Sequence, residues 1–296
     1  MLDRLIGTFL VEQGELSKTQ LMEAYRLQES HRAKLGVIAV AEKLMSIAQA
    51  EQVNTLQTSM DKRFGDIAIE KGYLSKAQVE RLLELQGNSY LAFLQAVVDL
   101  GFMTMERLSE VESDYQKRNG YTESDMAALK TGDVEQAVPI FLHTDDPVFK
   151  AMFSMGIKNM YRLVDNHVFV GNTYTARVIK DEVLSYQRFH GDQSAVVAIS
   201  GKYEDVRKMA VAYTKEEFVE TREDALDATC ELINCINGLY ATEQSKSDAK
   251  IELEPPNFNV SFAEATSDEM VVMPVYICGG EVKYIIAISK DIYVGS

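Results

Sequence analysis

The sequence predicts an α+β protein: an all-α first half built from four 29-residue helical repeats, then an α/β second half whose mainly antiparallel sheet packs against helices. Three observations lead there. Gly7, Gly36, Gly65 and Leu94 are each 29 residues apart, and a period of that size marks a stacked helical supersecondary unit. All five prolines (Pro139, Pro147, Pro255, Pro256, Pro274) follow residue 138, so the first half carries no obligatory helix breaker. Beyond residue 166, runs of alternating apolar residues meet across glycine-containing turns.

The repeat is legible residue by residue. Ile6 to Val11 with Gly14 and Gln28 recurs as Leu35 to Val40 with Gln57, then as Phe64 to Ile69 with Gly72 and Gln86. A worn fourth copy runs Phe93 to Val98 with Gly101 and Gln116. Within a copy, a short apolar helix ends near a glycine, as at Gly14 and Gly72, where the chain needs positive φ. Ser17, Ser75 and Thr104 then stand as N-caps of longer amphipathic helices ending near Gln28, Gln86 and Gln116. The polar stretch from Lys117 to Asp125 breaks the pattern, giving a repeat domain over 1–118, a linker over 119–145 and a second domain over 146–296.

The second domain opens with N-cap candidates in Thr144-Asp145-Asp146 and Pro147 at the first helical position, heading an amphipathic helix through Phe149, Met152, Phe153 and Met160. Val183 to Phe189 alternates and meets Ala195 to Ile199 across His190-Gly191-Asp192, a hairpin signal. A helix from about Tyr203 to Tyr213 comes next, then a second helix around residue 230 and the strand-like Ile251 to Glu254. Met270 to Cys278 and Val282 to Ile288 flank Gly279-Gly280, a second hairpin signal.

Composition removes several function classes. A formal net charge of −15 disfavours nucleic acid and anionic membrane surfaces, which are bound through clustered Lys and Arg. Cys230, Cys235 and Cys278 form no CxxC pair, the start of the chain lacks a leader pattern, and no apolar run approaches a membrane span. The expectation is a reduced, cytoplasmic, soluble protein without membrane insertion. His31, His143, His167 and His190 share no helical spacing, so histidines close in sequence build no zinc site.

The helix around residue 230 carries the functional signal. At about 100° per residue, Asp227, Glu231, Asn234 and Gly238 fall within roughly 60° of arc. Leu226, Thr229, Cys230, Ile233, Ile236, Leu239 and Tyr240 are expected on the opposite side. An acid and a carboxamide one turn apart, with a glycine beyond them that lets another surface come close, read as a working face. Pro256 lies 22 positions beyond Asn234.

Two family resemblances attach to these residues. The repeat resembles the MshEN-type N-terminal domain of secretion and pilus ATPases, over roughly residues 4 to 116. In that family the motif's Arg, Gly and apolar positions contact cyclic di-GMP. Here the Arg position holds Leu5, Lys34, Arg63 and Ala92, and Lys43 replaces the second copy's inner glycine, so only the third copy is intact. The plain alternative is that these Gly and Leu positions pack helices and the glutamines cap them.

Asp227, Glu231 and Asn234 with Pro256 resemble the signature of the CheC/CheX/FliY family of chemotaxis phosphatases, and the element order over about 146–290 agrees. A single signature resembles CheX, not the duplicated CheC. The resemblance implies hydrolysis of the aspartyl phosphate of a CheY-like response-regulator receiver domain in two-component signalling, with Glu231 and Asn234 as the catalytic pair. Asp227, Gly238 and Pro256 are then partner-docking positions, although Asp227 also reads as an ordinary surface carboxylate and Pro256 as a shaper of backbone. No cofactor is expected in this chain, the Mg²⁺ being the receiver's own, and a homodimer built through the sheets follows by analogy alone. In that phosphatase reading the helical repeats are a localising or regulatory module; the alternative is a non-catalytic adaptor that binds a receiver domain, cyclic di-GMP or both.

Overall fold

The computed structural model describes residues 1–215, 219–261 and 264–295, in two compact units, 1–133 and 134–296. The first unit holds four helix pairs: α1 (Leu2–Glu12) with α2 (Lys18–Ser30), α3 (Leu35–Ala41) with α4 (Ile47–Ser59), α5 (Phe64–Glu70) with α6 (Lys76–Glu84), and α7 (Ser89–Asp99) with α8 (Met105–Asn119). Ser17, Ser46, Ser75 and Thr104, themselves 29 residues apart, each accept a hydrogen bond from the backbone three residues on. In the first three copies a glutamine at that third position returns the bond, closing a capping box. Ser46 escaped the sequence reading because the glycine preceding it is Lys43.

The turn before each cap needs a left-handed residue. Gly14, Gly72 and Gly101 supply it at φ of 74°, 71° and 68°, and Lys43 adopts the same conformation at φ 57°. The second copy therefore keeps the geometry with the wrong residue for it.

The copies do not stack in sequence order alone. α7 is buried from Tyr90 to Val97 and packs against α1, α2, α3 and α8, so the fourth copy sits against the first and the second. Gln28 is buried and donates to Asp3 Oδ2 at 2.8 Å and to the Ser89 carbonyl at 2.7 Å, while Gln86 donates to the Ala33 carbonyl at 3.1 Å. These glutamines tie one copy to another and do not cap their own helices. The expected linker over 119–145 is also structured, with α9 (Glu123–Thr131) and α10 (Val134–Ala137) followed by a 3₁₀ turn over Val138–Phe141. Thr122 and Asp125 close a capping box on α9 and Gly132 ends it at φ 75°, which explains why this polar stretch is helical.

Among the described residues, the second unit places α11 (Pro147–Leu163), α12 (Tyr203–Thr214) and α13 (Arg222–Ser245) with an antiparallel nine-stranded sheet. Its strands are β1 (Phe169–Val170), β2 (Tyr174–Ile179), β3 (Val183–Gly191), β4 (Ala195–Gly201), β5 (Ile251–Leu253), β6 (Asn257–Asn259), β7 (Glu264–Ile277), β8 (Gly280–Ile288) and β9 (Tyr293–Gly295). The central order is β1-β7-β8-β4-β3-β5, with β2 and β9 on β7 and β6 on β3. β4 is buried along its whole length because both faces of the sheet are covered. One face lies against the helices: Gly156 of α11 approaches the Tyr284 ring of β8 so closely that an added Cβ would come within 2.4 Å of Cε1. The other buries Leu184, Val196, Ala198, Met270, Val272, Ile285 and Ala287 with Ile179 and Ile292.

The hairpin over β3 and β4 pairs Phe189 with Ala195, as the sequence predicts. The last hairpin pairs Ile277 with Gly280, so its turn residues are Cys278 and Gly279, both at positive φ, one position earlier than the Gly279-Gly280 expectation. The edge beside β3 is interrupted. Phe189 faces Leu253 and Tyr186 faces Asn257, which sets three residues, 254–256, opposite two, 187 and 188. This is a bulge, and Pro255 and Pro256, without N–H groups, occupy it.

Candidate functional site on helix α13

Helix α13 starts firmly. The Thr221 hydroxyl accepts from Asp224 N at 3.1 Å, and the Asp224 carboxylate accepts from Thr221 N at 2.9 Å. Those hydrogen bonds, the backbone one foremost, hold the Asp224 carboxyl below its ordinary range. Acidic residues at Glu223 and Asp224 also complement the positive end of the helix dipole.

Ala225, Leu226, Ala228, Thr229, Cys230, Leu232, Ile233, Ile236, Asn237 and Tyr240 form the buried side. Asp227, Glu231 and Asn234 are exposed together, with Gly238 half-buried on the same stripe. Leu239, expected in the core, is 42% exposed. Among the described residues, a Cβ built on Gly238 would meet nothing within 4 Å, so none of them requires glycine there. Glycine in a helix interior costs up to about 1 kcal/mol relative to alanine.

The Glu231 and Asp227 carboxylates form no ion pair among the described residues. Tyr213 at the end of α12 lies close by, its phenol raised above the ordinary range by partial burial and then by Cys235 and Glu231. Cys230 is turned inward, its Sγ 3.4 Å from the Asn257 carbonyl, and burial pushes its thiol up to about 11. It is protonated at neutral pH and serves as packing, as its place on the apolar side predicts.

Beneath Asn234 lies a polar group that sequence reading missed. Gln187 of β3, 1% exposed, donates from Nε2 to Asn234 Oδ1 at 2.6 Å and to the Glu254 carbonyl at 2.8 Å. Its Oε1 accepts from Nδ2 of the equally buried Asn237 at 2.9 Å. Among the described residues, Asn234 Nδ2 makes no hydrogen bond. The available signal was the phase of β3, where Ser185 and Gln187 occupy the inward positions shared by Val183 and Phe189. Pro256 belongs to the bulge beside Gln187, half-buried, and shapes backbone there.

In the N-terminal unit, a hollow of about 540 Å³ is lined by Gly36, Val37 and Val40 of the second copy and by Gln95, Asp99 and Met105 of the fourth. Lys34, at the motif's Arg position, is tied to Asp99 at 2.9 Å, and Glu51 and Glu106 also line the space. One cation against three carboxylates is a charge balance that disfavours phosphate groups.

Residues 183–273 match the family model described as "Chemotaxis phosphatase CheX", a span that contains β3, α13 and the bulge. No curated protein matches the chain. Similar solved structures include the chemotaxis protein CheX from Desulfovibrio desulfuricans, with 14% identity over 49% of this chain and 100% of that one and a TM-score of 0.43. A CheX–CheY–BeF₃–Mg²⁺ complex from Borrelia burgdorferi has 14% identity over 50% of this chain and 97% of that one, at a TM-score of 0.34. FliY from Thermotoga maritima has 16% identity over 46% and 83%, at 0.33. The C-terminal part of this chain is thus similar to the chemotaxis phosphatase CheX family over residues 183–273.

Proposed function

We propose that the C-terminal unit hydrolyses the aspartyl phosphate of a CheY-like receiver domain, with the helical unit as a localising or regulatory module. The single observation that supports this most is the joint exposure of Glu231 and Asn234 on one stripe of α13, inside the span that matches the phosphatase family. An acyl phosphate is already activated, so the reaction needs one water held in line with phosphorus and charge stabilisation on the phosphoryl oxygens.

Asn234 suits the first task. Its Oδ1 accepts from Gln187 and keeps a second lone pair for a hydrogen of the attacking water, while Nδ2 donates to a phosphoryl oxygen. The water oxygen bonds to phosphorus as the bond to the aspartyl oxygen breaks, and the water's protons leave on inorganic phosphate. Glu231 is the docking half of the pair: its exposed carboxylate meets the Lys of the receiver's phosphate site and sets the register of the helix. Asp227 extends the acidic edge of the same stripe, and the bare backbone at Gly238 lets the receiver approach. Mg²⁺ held by the receiver would supply charge neutralisation at the phosphoryl oxygens.

Phosphate release from a panel of phosphorylated receiver domains in Mg²⁺ tests the reading. At least one receiver should lose its phosphate faster with the protein present, and Glu231→Ala should weaken binding of that receiver about ten-fold. Binding of receivers with no acceleration of any would replace hydrolysis by the adaptor role.

A further inference from the structure

We infer that Gln187 is a positioning residue for Asn234: from β3 it fixes the rotamer and the amide face of the asparagine, and the 254–256 bulge in turn fixes Gln187. The inference rests on the proposed dephosphorylation for its catalytic meaning, although the placement itself is a property of the free protein.

The geometry leaves little freedom. On β3, Ser185, Gln187 and Phe189 face α13, where Ser185 donates to the Leu226 carbonyl at 3.0 Å and the Phe189 ring lies 5.9 Å from that of Tyr240. Gln187 stands between them with both amide hydrogens committed, to Asn234 Oδ1 and to the Glu254 carbonyl, and with Oε1 committed to Asn237. A backbone carbonyl can only accept, so the group facing Glu254 is the NH₂ of Gln187. The asparagine atom that meets this same NH₂ is then its oxygen, and the Asn234 NH₂ is turned outward. A buried glutamine is costly to desolvate and is kept only where its polar atoms are matched, as they are here.

The bulge supplies the other end of the relay. Three residues face two at this point of the edge, and Pro255 and Pro256 have no N–H to offer β3. The Glu254 carbonyl is thereby available to Gln187. The bulge that contains Pro256 is thus joined to Asn234 through the Glu254 carbonyl and Gln187.

The test uses the full chain with two readouts. The first is the side-chain amide signal of Asn234 in ¹⁵N-labelled protein, identified by its loss in Asn234→Asp. Gln187→Met should move that signal to the position of a freely solvated carboxamide. The second is turnover of a CheY-like receiver phosphorylated with acetyl phosphate. Gln187→Met should lower kcat by roughly ten- to a hundred-fold with KM unchanged, since misplacing a catalytic group by about an ångström carries a loss of that order. Should Gln187→Met fail to fold, Gln187→Glu keeps the volume and the acceptor for Asn237 while removing the donors, and the same displacement is expected. An unmoved Asn234 signal in the folded variant, or a wild-type kcat, overturns the inference. If the wild-type protein turns over no receiver, the dephosphorylation reading fails by itself, and the amide signal alone upholds or overturns the placement by Gln187.

Discussion

Gln187 of β3 and Asn234 of α13, 47 residues apart in sequence, are joined by a 2.6 Å hydrogen bond from Nε2 to Oδ1. The bond divides the asparagine into an anchored oxygen and an outward NH₂. Asn234→Asp keeps an oxygen for Gln187 and replaces the outward donor with a second, negatively charged oxygen. The variant should fold as wild type and bind a BeF₃-activated receiver more weakly. It should lose turnover by roughly a hundred-fold or more, the scale of removing one donor to a reacting oxyanion. Receiver dephosphorylation rates alongside a thermal melt check this.

Gly238 separates stability from docking. None of the described residues meets a Cβ there, so Gly238→Ala should raise stability by about 0.5–1 kcal/mol through helix propensity. The same methyl group stands on the stripe offered to the receiver and should weaken binding. Denaturant midpoints and receiver titrations on one pair of proteins measure both, and a variant no more stable than wild type contradicts the first half of the claim.

Lys43 holds φ 57° where Gly14, Gly72 and Gly101 occupy the equivalent turn. Lys43→Gly should therefore stabilise the helical unit by about 0.5–1 kcal/mol, the strain relieved outweighing the extra freedom glycine has in the unfolded chain. Glycine at a compatible position such as Leu44, which does not adopt positive φ, should destabilise instead. Thermal unfolding of the two variants gives the comparison.

The start of α13 should respond to acid. Asp224 has its carboxyl lowered below the ordinary 3.8 by the bonds from Thr221. A group depressed in the folded state contributes stability above its unfolded pKa, and that contribution is lost as pH falls through the lower folded value. Asp224→Asn should flatten this acid limb of the stability curve, read by far-UV circular dichroism between pH 5 and pH 2.

Much of this was legible because it is local. The 29-residue step, the left-handed glycines and the Ser and Thr caps are written in single residues, and both hairpins show in alternation broken by glycine. The stripe of α13 follows from helical spacing alone, and its exposed acid and carboxamide appear where spacing puts them. The helix after Thr122 was also readable, from the Thr122 and Asp125 spacing and Gly132, but the polar run obscured it. What stayed hidden is tertiary. Periodicity does not say that α7 will lie against α1 and α2, because every copy presents a similar apolar face. Nor does it show that Gln187, Asn237 and the Glu254 carbonyl meet under Asn234, since hydrogen bonds between residues tens of positions apart leave no spacing rule. Leu239 misled for a simpler reason: an apolar residue on a helix is not obliged to be buried.

The most direct measurement is the single-turnover decay of a phosphorylated CheY-like receiver mixed with excess wild-type protein or excess Asn234→Ala. Wild type should shorten the lifetime of the phosphoreceiver, and Asn234→Ala should return it to its intrinsic rate while still binding the receiver. Equal acceleration by both proteins would contradict a reaction carried by Asn234.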